Sequence, residues 1–598
     1  VIPMLALGLN LSNQGLYAQA QAQFAAAAAL APRASDPTAP AVLRYDEALD
    51  ALNQGQNQLA LARLREARQA YAALVPSALL QAQPQAAQNN ALFSISAPAG
   101  ADTLLADQVT LNSPVTQAAL LGVIECWRYQ ALVLERIGDR PGSDAAIANA
   151  RRIASANGLE PPSLDARLDR TRAVLASANG QPAAAAADLA RAAASFNDAL
   201  PGSRPVAQTD LLRGAALAQS GDTGAALSAC RDGVALLRKL RLGGTAGLIG
   251  PCLDVYAKAA TEDPARAGIL HGEMFEAAEL TQGSVTTQEI AQAAARLASS
   301  ASDPKVATAI RAQQDAQHRL ADLYQQRDQA AHTANNGAAL ARLDKDIAAA
   351  TARLQQAGLA EQAAAPNYGQ LVQQVVPATE VLKLLRPDEA FLGITTTPQH
   401  SWLFFLHAGR VEVAQANETE LGMARLVKQV RASIEPGTAG LPAFDMADAA
   451  TIYANTLGPF AAQMAGVHDL VVAPSGALLA LPFALLPTGP ASATDLAHAP
   501  WLIRQTTLAY VPAAANFVSL RRAEGTSAAK QPWFGFGDFR PVSLAQAQAT
   551  YSPAACPQAA AEFAGLPQLP YAKLELQAAS AIFGAGPQDE LLLSLIHI

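Results

Sequence analysis

Apolar residues recur along this chain with three different spacings, and each spacing predicts a different kind of element. Through residues 1–300 they return every third or fourth position, in stretches broken by glycine-containing turns, which predicts amphipathic helices in pairs. Residues 81–115 lose that period. They are rich in Gln, Ala and Asn, then in Ser, Pro and Gly, and exceed an ordinary helix connection, so they read as an insertion. Asp303, followed by Pro304, suits a helix N-cap. The sparse stripe Val306, Ile310, Leu320 and Tyr324 then faces a second stripe, Leu340, Leu343, Ile347, Ala350 and Leu354, across the turn Asn335-Asn336-Gly337. This alternating spacing predicts an antiparallel, coiled-coil-like hairpin over 303–365, acting as a spacer.

From residue 376 onward the pattern changes to strands. Ala390–Ile394, Ser401–Leu406 and Val411–Val413 read as three strands, the last two joined by the turn His407–Arg410. Helical periodicity over Asp445–Gln463 then leads to Leu470–Ala473, a short apolar run suited to a strand buried on both faces. Pro474 and Gly476 end it. A helix crossing between strands in this way predicts a mixed α/β sheet.

Composition narrows the function classes. A chain of 598 residues should hold several domains. The hydrophobic share is 51%, yet much of it is alanine, and no uninterrupted apolar run reaches the roughly 18 residues that span a bilayer. With a formal charge of −8 and no Lys/Arg block, nucleic acid and anionic membrane are not expected partners. The four cysteines, Cys126, Cys230, Cys252 and Cys556, show neither metal-ligand spacing nor a disulfide framework, and Cys230 reads as a small buried hydrophobe. Ser475 lacks a Gly-x-Ser-x-Gly elbow, Gly535-x-Gly537 lacks the rest of a phosphate loop, and no HExxH run occurs. The expected cofactor and metal complement is therefore none. The first residue is Val1, and the compartment is not readable.

Leu7-Gly8, Gly15, Tyr17, Ala20, Phe24, Ala27 and Pro32 resemble one full tetratricopeptide (TPR) repeat. Weaker copies follow at Gly55, Ala60, Leu64 and Ala67, around Gly138, Ile147 and Ala150, at Gly180, Ala185, Leu189 and Ala192, and at Gly214, Gly221, Ala226 and Cys230. The resemblance implies a solenoid over 1–300 whose concave surface docks a protein or peptide.

Leu470–Ala473, the turn Pro474-Ser475-Gly476, Leu481-Pro482-Phe483, Trp501-Leu502-Ile503, Leu508–Pro512 and Phe534–Asp538 together resemble the first half of the CHAT domain, a caspase-like peptidase module. The break at Pro366-Asn367-Tyr368 and the runs Ile269–Leu280 and Ala291–Arg296 resemble the lead-in found in proteins that join TPR and CHAT parts. The resemblance implies peptide hydrolysis by a thiolate whose proton passes to a neighbouring imidazole, at the ends of adjacent parallel strands. In the family the His closes an Ala-Thr-His-Gly-like run and the Cys a Ser-Ala-Cys-like run. Neither occurs among these residues.

Leu566–Glu575 resembles the helix that precedes the His strand, and Glu590–Ile598 has no cap or polar terminus. The expectation is a truncated, partial CHAT domain over 376–598, inactive as it stands, with no catalytic residue. Cys556 falls in a Pro-flanked loop, His407 and His468 read as surface residues, His318 and His332 as solvated helix residues, and His597 belongs to the last run. The expected fold is thus multidomain: an α-helical TPR-like solenoid, a helical hairpin and an incomplete α/β caspase-like domain. The alternative is a non-enzymatic scaffold with a structural α/β module.

Overall fold

The computed structural model describes the chain apart from residues 14, 83–112, 160–161, 283–303, 332–335, 365–374, 436–441, 523–530, 532, 539–541, 551–558, 587–588 and 593–598. Most of the insertion at 81–115, the N-cap at Asp303, the first residue of the 335–337 turn, the run Ala291–Arg296, the break at Pro366, Cys556, His332 and His597 lie outside the described residues. The chain forms two compact units, Val1–Ser519 and Leu520–Ile598.

The first unit begins with helices packed in pairs: α1 (Ile2–Asn13) with α2 (Tyr17–Leu30), α3 (Ala39–Asn53) with α4 (Asn57–Ala72), and, after a short α5 (Ser77–Gln81), α6 (Pro114–Arg136) with α7 (Arg140–Ala156). The pairs α8 (Pro162–Ala178) and α9 (Pro182–Ala199), α10 (Arg204–Gln219) and α11 (Thr223–Leu240), and α12 (Ala246–Glu262) and α13 (Ala267–Glu279) continue the series. Small residues set the spacing. A Cβ on Gly8 would stand 2.6 Å from the Phe24 ring within its pair, and one on Gly122 2.6 Å from the Tyr71 ring of α4 in the preceding pair, so each glycine admits an aromatic ring. Gly180 and Gly221 turn the chain between helices at φ of 71° and 93°, a conformation glycine adopts without the steric cost that other residues face. Ion pairs tie neighbouring helices: Arg167 on α8 reaches Glu125 on α6 at 2.9 Å, and Arg231 on α11 reaches Glu273 on α13 at 2.8 Å.

Helices α14 (Pro304–Ala331) and α15 (Gly337–Ala364) pack on each other through Leu320, Leu323, Tyr324, Leu343, Ile347 and Ala350. They also lean on the helical series: the Tyr324 hydroxyl donates to the Pro201 carbonyl at 3.0 Å, and Ser163 donates to Asp328 at 2.6 Å. The hairpin therefore rests against α8 and the end of α9. It does not stand between the helices and the sheet as a spacer, because those two parts meet directly.

Five strands, β1 (Glu389–Thr396), β2 (Ser401–His407), β3 (Arg410–Ala416), β4 (Asp469–Ala473) and β5 (Thr507–Tyr510), lie in the order β3-β2-β1-β4-β5. β2 runs antiparallel to β1 and β3, whereas β1, β4 and β5 are parallel. The two faces divide by strict alternation. Ala390, Leu392, Ile394, Leu403, Phe405, Leu470 and Val472 share a core with α17 (Glu420–Ala432) and α18 (Met446–Ala454), after a short α16 (Ala378–Leu384) that precedes the sheet. Phe391, Trp402, Phe404, Leu406, Val471 and Ala473 instead enter a core with Ile249, Leu253 and Tyr256 of α12, Leu270, Met274 and Phe275 of α13, and Phe517 of α19 (Ala514–Arg522). Phe275 sits edge-on to Phe391 and Phe404, with centroids 6.2 and 5.7 Å away.

The cysteines correct one expectation. Cys230 on α11 and Cys252 on α12 form a disulfide, their Cα atoms 5.6 Å apart and both residues fully buried. Sequence spacing does not show this, since the pairing depends on how α12 folds back along α11.

The second unit holds β6 (Gly535–Gly537) paired in parallel with β7 (Glu590–Leu592), and helices α20 (Leu544–Thr550), α21 (Ala559–Ala564) and α22 (Ala572–Phe583). Leu576 of α22 packs over Gly535 and Gly537.

Replacing Phe275 by Ala removes the ring that joins the helices to the sheet, at an expected cost of about 3–5 kcal/mol. Chemical denaturation followed by tryptophan fluorescence should show a lower midpoint. An unchanged midpoint would mean that the sheet does not depend on this contact.

Candidate functional site

In open α/β sheets, ligands and catalytic groups gather at the carboxyl ends of the parallel strands. Here that rim is formed by Thr396 at the end of β1, Ala473 at the end of β4 and Tyr510 at the end of β5. Ser475, just past β4, accepts a hydrogen bond from the Thr396 amide at 2.9 Å, and its hydroxyl lies 3.3 Å from that of Thr396. The Pro-Ser-Gly turn thus locks onto the end of β1. The Tyr510 hydroxyl accepts from the Phe483 amide at 2.7 Å, holding the Leu-Pro-Phe segment against β5.

Beneath the rim lies Glu279, the last residue of α13, which is 4% exposed. Its carboxylate accepts from the Ala514 amide at 2.9 Å, at the first turn of α19. Burial pushes the Glu279 carboxyl up to about 7, against the pull of that amide.

Among the described residues no histidine forms a catalytic pair with a thiol. His407 closes the antiparallel strand β2, so it sits at the opposite end of β1, with Nδ1 3.0 Å from the Glu389 carbonyl. His468 precedes β4 at that same far end and is exposed. His318 is exposed on α14. His400, in the connection from β1 to β2, does lie at the rim, but its Nε2 is 2.8 Å from Asp254 Oδ1, and its ring stands edge-on to Trp402. Trp402 Nε1 donates to the same Asp254 oxygen at 3.0 Å. A cleft of about 520 Å³ opens beside this group, lined by Asp254, Lys258, His271, His400, Trp402 and Gln415.

Of the cysteines, Cys126 is buried and burial pushes its thiol well above the ordinary range, away from thiolate chemistry. Cys230 and Cys252 are spent in the disulfide. Among the described residues no cluster of His, Cys, Asp and Glu could hold a metal ion, and no helix is long and apolar enough to cross a membrane.

The helical series carries a second feature. On α3, α6 and α8, Tyr45, Glu125, Arg128, Tyr129, Arg167 and Arg170 form one connected cluster. Burial acts to raise the Glu125 carboxyl, but Arg128 and Arg167 outweigh it and hold the value below the ordinary range. Arg170 lies over the Phe196 ring at 5.4 Å. It forms no ion pair with any described residue, and burial together with Arg128 and Arg167 lowers its value. Two guanidiniums thus pair with one carboxylate, and a third lies beside them without an ion pair to any described residue. Sequence reasoning missed this cluster, Glu279 and the Asp254–His400–Trp402 group. The arginines recur at helical spacing on α8, a visible signal, whereas nothing in the local sequence marks Glu279.

The family model of the CHAT domain matches residues 447–594, from α18 to just past β7. The match starts after β1–β3, so those strands lie ahead of it. No curated protein matches the chain.

Glu279 makes stability depend on pH with a definite sign. Its folded value, about 7, exceeds the ordinary 4.5, so the folded chain binds the extra proton. The contribution is complete below the unfolded value and is lost as pH rises through about 7. Glu279→Gln should match the parent near the acid end of that window and surpass it above, by about 3 kcal/mol at most. Thermal melts across the window check this, and parallel pH profiles for the two proteins would contradict it.

Proposed function

We propose that this chain is a TPR-like docking array joined to the first half of a caspase-like CHAT cysteine peptidase module, and that it recruits and positions a protein or peptide without cutting it. The observation that carries the reading is the common core in which Phe275 of the helical series packs on Phe391 and Phe404 of the sheet. Close-packed cores switch between discrete arrangements and do not yield smoothly. A ligand that moves α12 or α13 must therefore repack the sheet face behind Ser475 and Thr396. Docking on the helices and the shape of the sheet rim are coupled by that requirement.

The face bearing Tyr45, Tyr129, Arg167 and Arg170 suits the docking role. Tyr45 and Arg170 keep part of their surface in solvent while burial strips much of their hydration. A guanidinium without a carboxylate partner there favours an acidic segment of the ligand.

The described side chains support reading this chain as inactive. Cys126 has its thiol pushed up, two other cysteines are paired, Ser475 is engaged by Thr396 and His400 by Asp254. The same engagement favours the second reading, a non-enzymatic scaffold. Sequencing the transcript beyond Glu590 separates the two, since strands ending in His-Gly and in Cys would support the peptidase.

Fluorescence anisotropy with a labelled Asp/Glu-rich peptide tests the docking face directly. Arg170→Gln should weaken binding roughly tenfold, the scale of one charge-assisted hydrogen bond. An Asn/Gln counterpart peptide should bind less tightly, and no peptide should be cleaved. Equal binding of both peptides would remove the acidic preference, and cleavage abolished by Cys556→Ala would overturn the inactive assignment.

A further inference from the structure

Three consecutive residues of α12 place opposed demands on a single turn. Gly250 lets the β1–β2 connection approach, since a Cβ there would stand 3.1 Å from Thr397 Cγ2. Pro251, inside the helix, withholds an amide from the Gly247 carbonyl and crowds it, so the turn is the weak point of α12. Cys252 follows, bonded to Cys230 on α11. Two residues further on, Asp254 holds both His400 and Trp402. The segment that carries the sheet's β1–β2 connection is thus the one with the poorest helical support, and the disulfide lies within it.

The surroundings are built for that bond. Both cysteines are fully buried in the core shared by helices and sheet. A Cβ on Gly214 of α10 would stand 2.5 Å from Cys230 Sγ and 3.1 Å from the Ala226 carbonyl oxygen, so α10 can pass the sulfur only with glycine there. Cys126 belongs to a separate core with α4 and α7 and cannot exchange into the pair.

We propose that Cys230–Cys252 is an oxidative staple fixing the sheet-bearing turn of α12, and that the chain matures where a disulfide-class oxidant is present. Formation balances simply. One cysteine thiolate attacks the oxidant's disulfide and displaces a thiolate; the second cysteine attacks the mixed disulfide and displaces the other sulfur. Two electrons and two protons leave with the oxidant as its thiols. Because neither sulfur is accessible in the folded chain, exchange occurs before α12 closes on α11, and the finished bond is shielded from thiols in solution.

The test begins with the full chain produced in an oxidising compartment and alkylated in denaturant without reductant. Peptide mapping should find alkyl groups on Cys126 and Cys556, with Cys230 and Cys252 recovered as one linked peptide. Hydrogen exchange then reads the consequence. The double variant Cys230→Ala, Cys252→Ala should exchange roughly a hundredfold faster over Thr397–Trp402 and the Gly250 turn, as expected for losing a cross-link of this span, while α3 and α4 stay protected. Should the variant not fold, the parent refolded with and without reductant provides the same comparison. Alkylation of all four cysteines, or unchanged exchange at Thr397–Trp402, overturns the proposal.

Discussion

Burial of one face of the sheet against α12 and α13 is the constraint from which the arrangement of the first unit follows. Strands β1 and β4 are apolar on both faces, so neither face can be left to water. One face is covered by α17 and α18, which the chain supplies within the α/β segment itself. The other is covered by the last helix pair of the preceding series. That pair is more than the end of the series, because its buried Phe275 packs directly on Phe391 and Phe404 of the sheet.

The polar groups at this junction are arranged around the same requirement. A buried carboxyl at Glu279 is tolerable because it meets the first turn of α19, where an unpaired amide needs an acceptor. Asp254 satisfies both the Trp402 indole and the His400 imidazole, so an aromatic pair can lie at the sheet edge without an orphaned donor. Gln282 donates to the Ile394 carbonyl at 3.0 Å, closing another backbone group near the rim. Each of these bonds joins residues more than a hundred positions apart in sequence, so the junction is a fold-level feature and not a local motif.

That distance explains what could be read from the sequence and what could not. The strands at 390–394, 401–406 and 470–473, the turn at His407–Arg410 and the two helices of the hairpin all show in local apolar spacing, and the structure has elements there. The stripe over Leu343, Ile347 and Ala350 marks the face by which α15 packs, although Leu323, which the stripe on α14 omits, is the most buried residue of that contact. The hairpin's position against α8 depends on Tyr324 and Asp328 meeting Pro201 and Ser163, partners that no periodicity identifies. The Cys230–Cys252 pair is hidden for the same reason. Each cysteine looks like a small core residue by itself, and only the return of α12 along α11 brings the sulfurs together.

The rim of the parallel strands then acquires a particular meaning. Ser475, Thr396, Tyr510 and the Leu-Pro-Phe segment spend their hydrogen bonds on holding the strand ends in place, and His400 is turned toward the helices by Asp254. Groups so engaged are poor candidates for proton transfer, which requires a lone pair free to face a substrate. They are well suited to keeping a rim in one shape until the helices beneath it move. Because Asp254 and Glu279 lie on α12 and α13, any displacement of those helices reaches the strand ends through two hydrogen-bonded connections and one aromatic cluster.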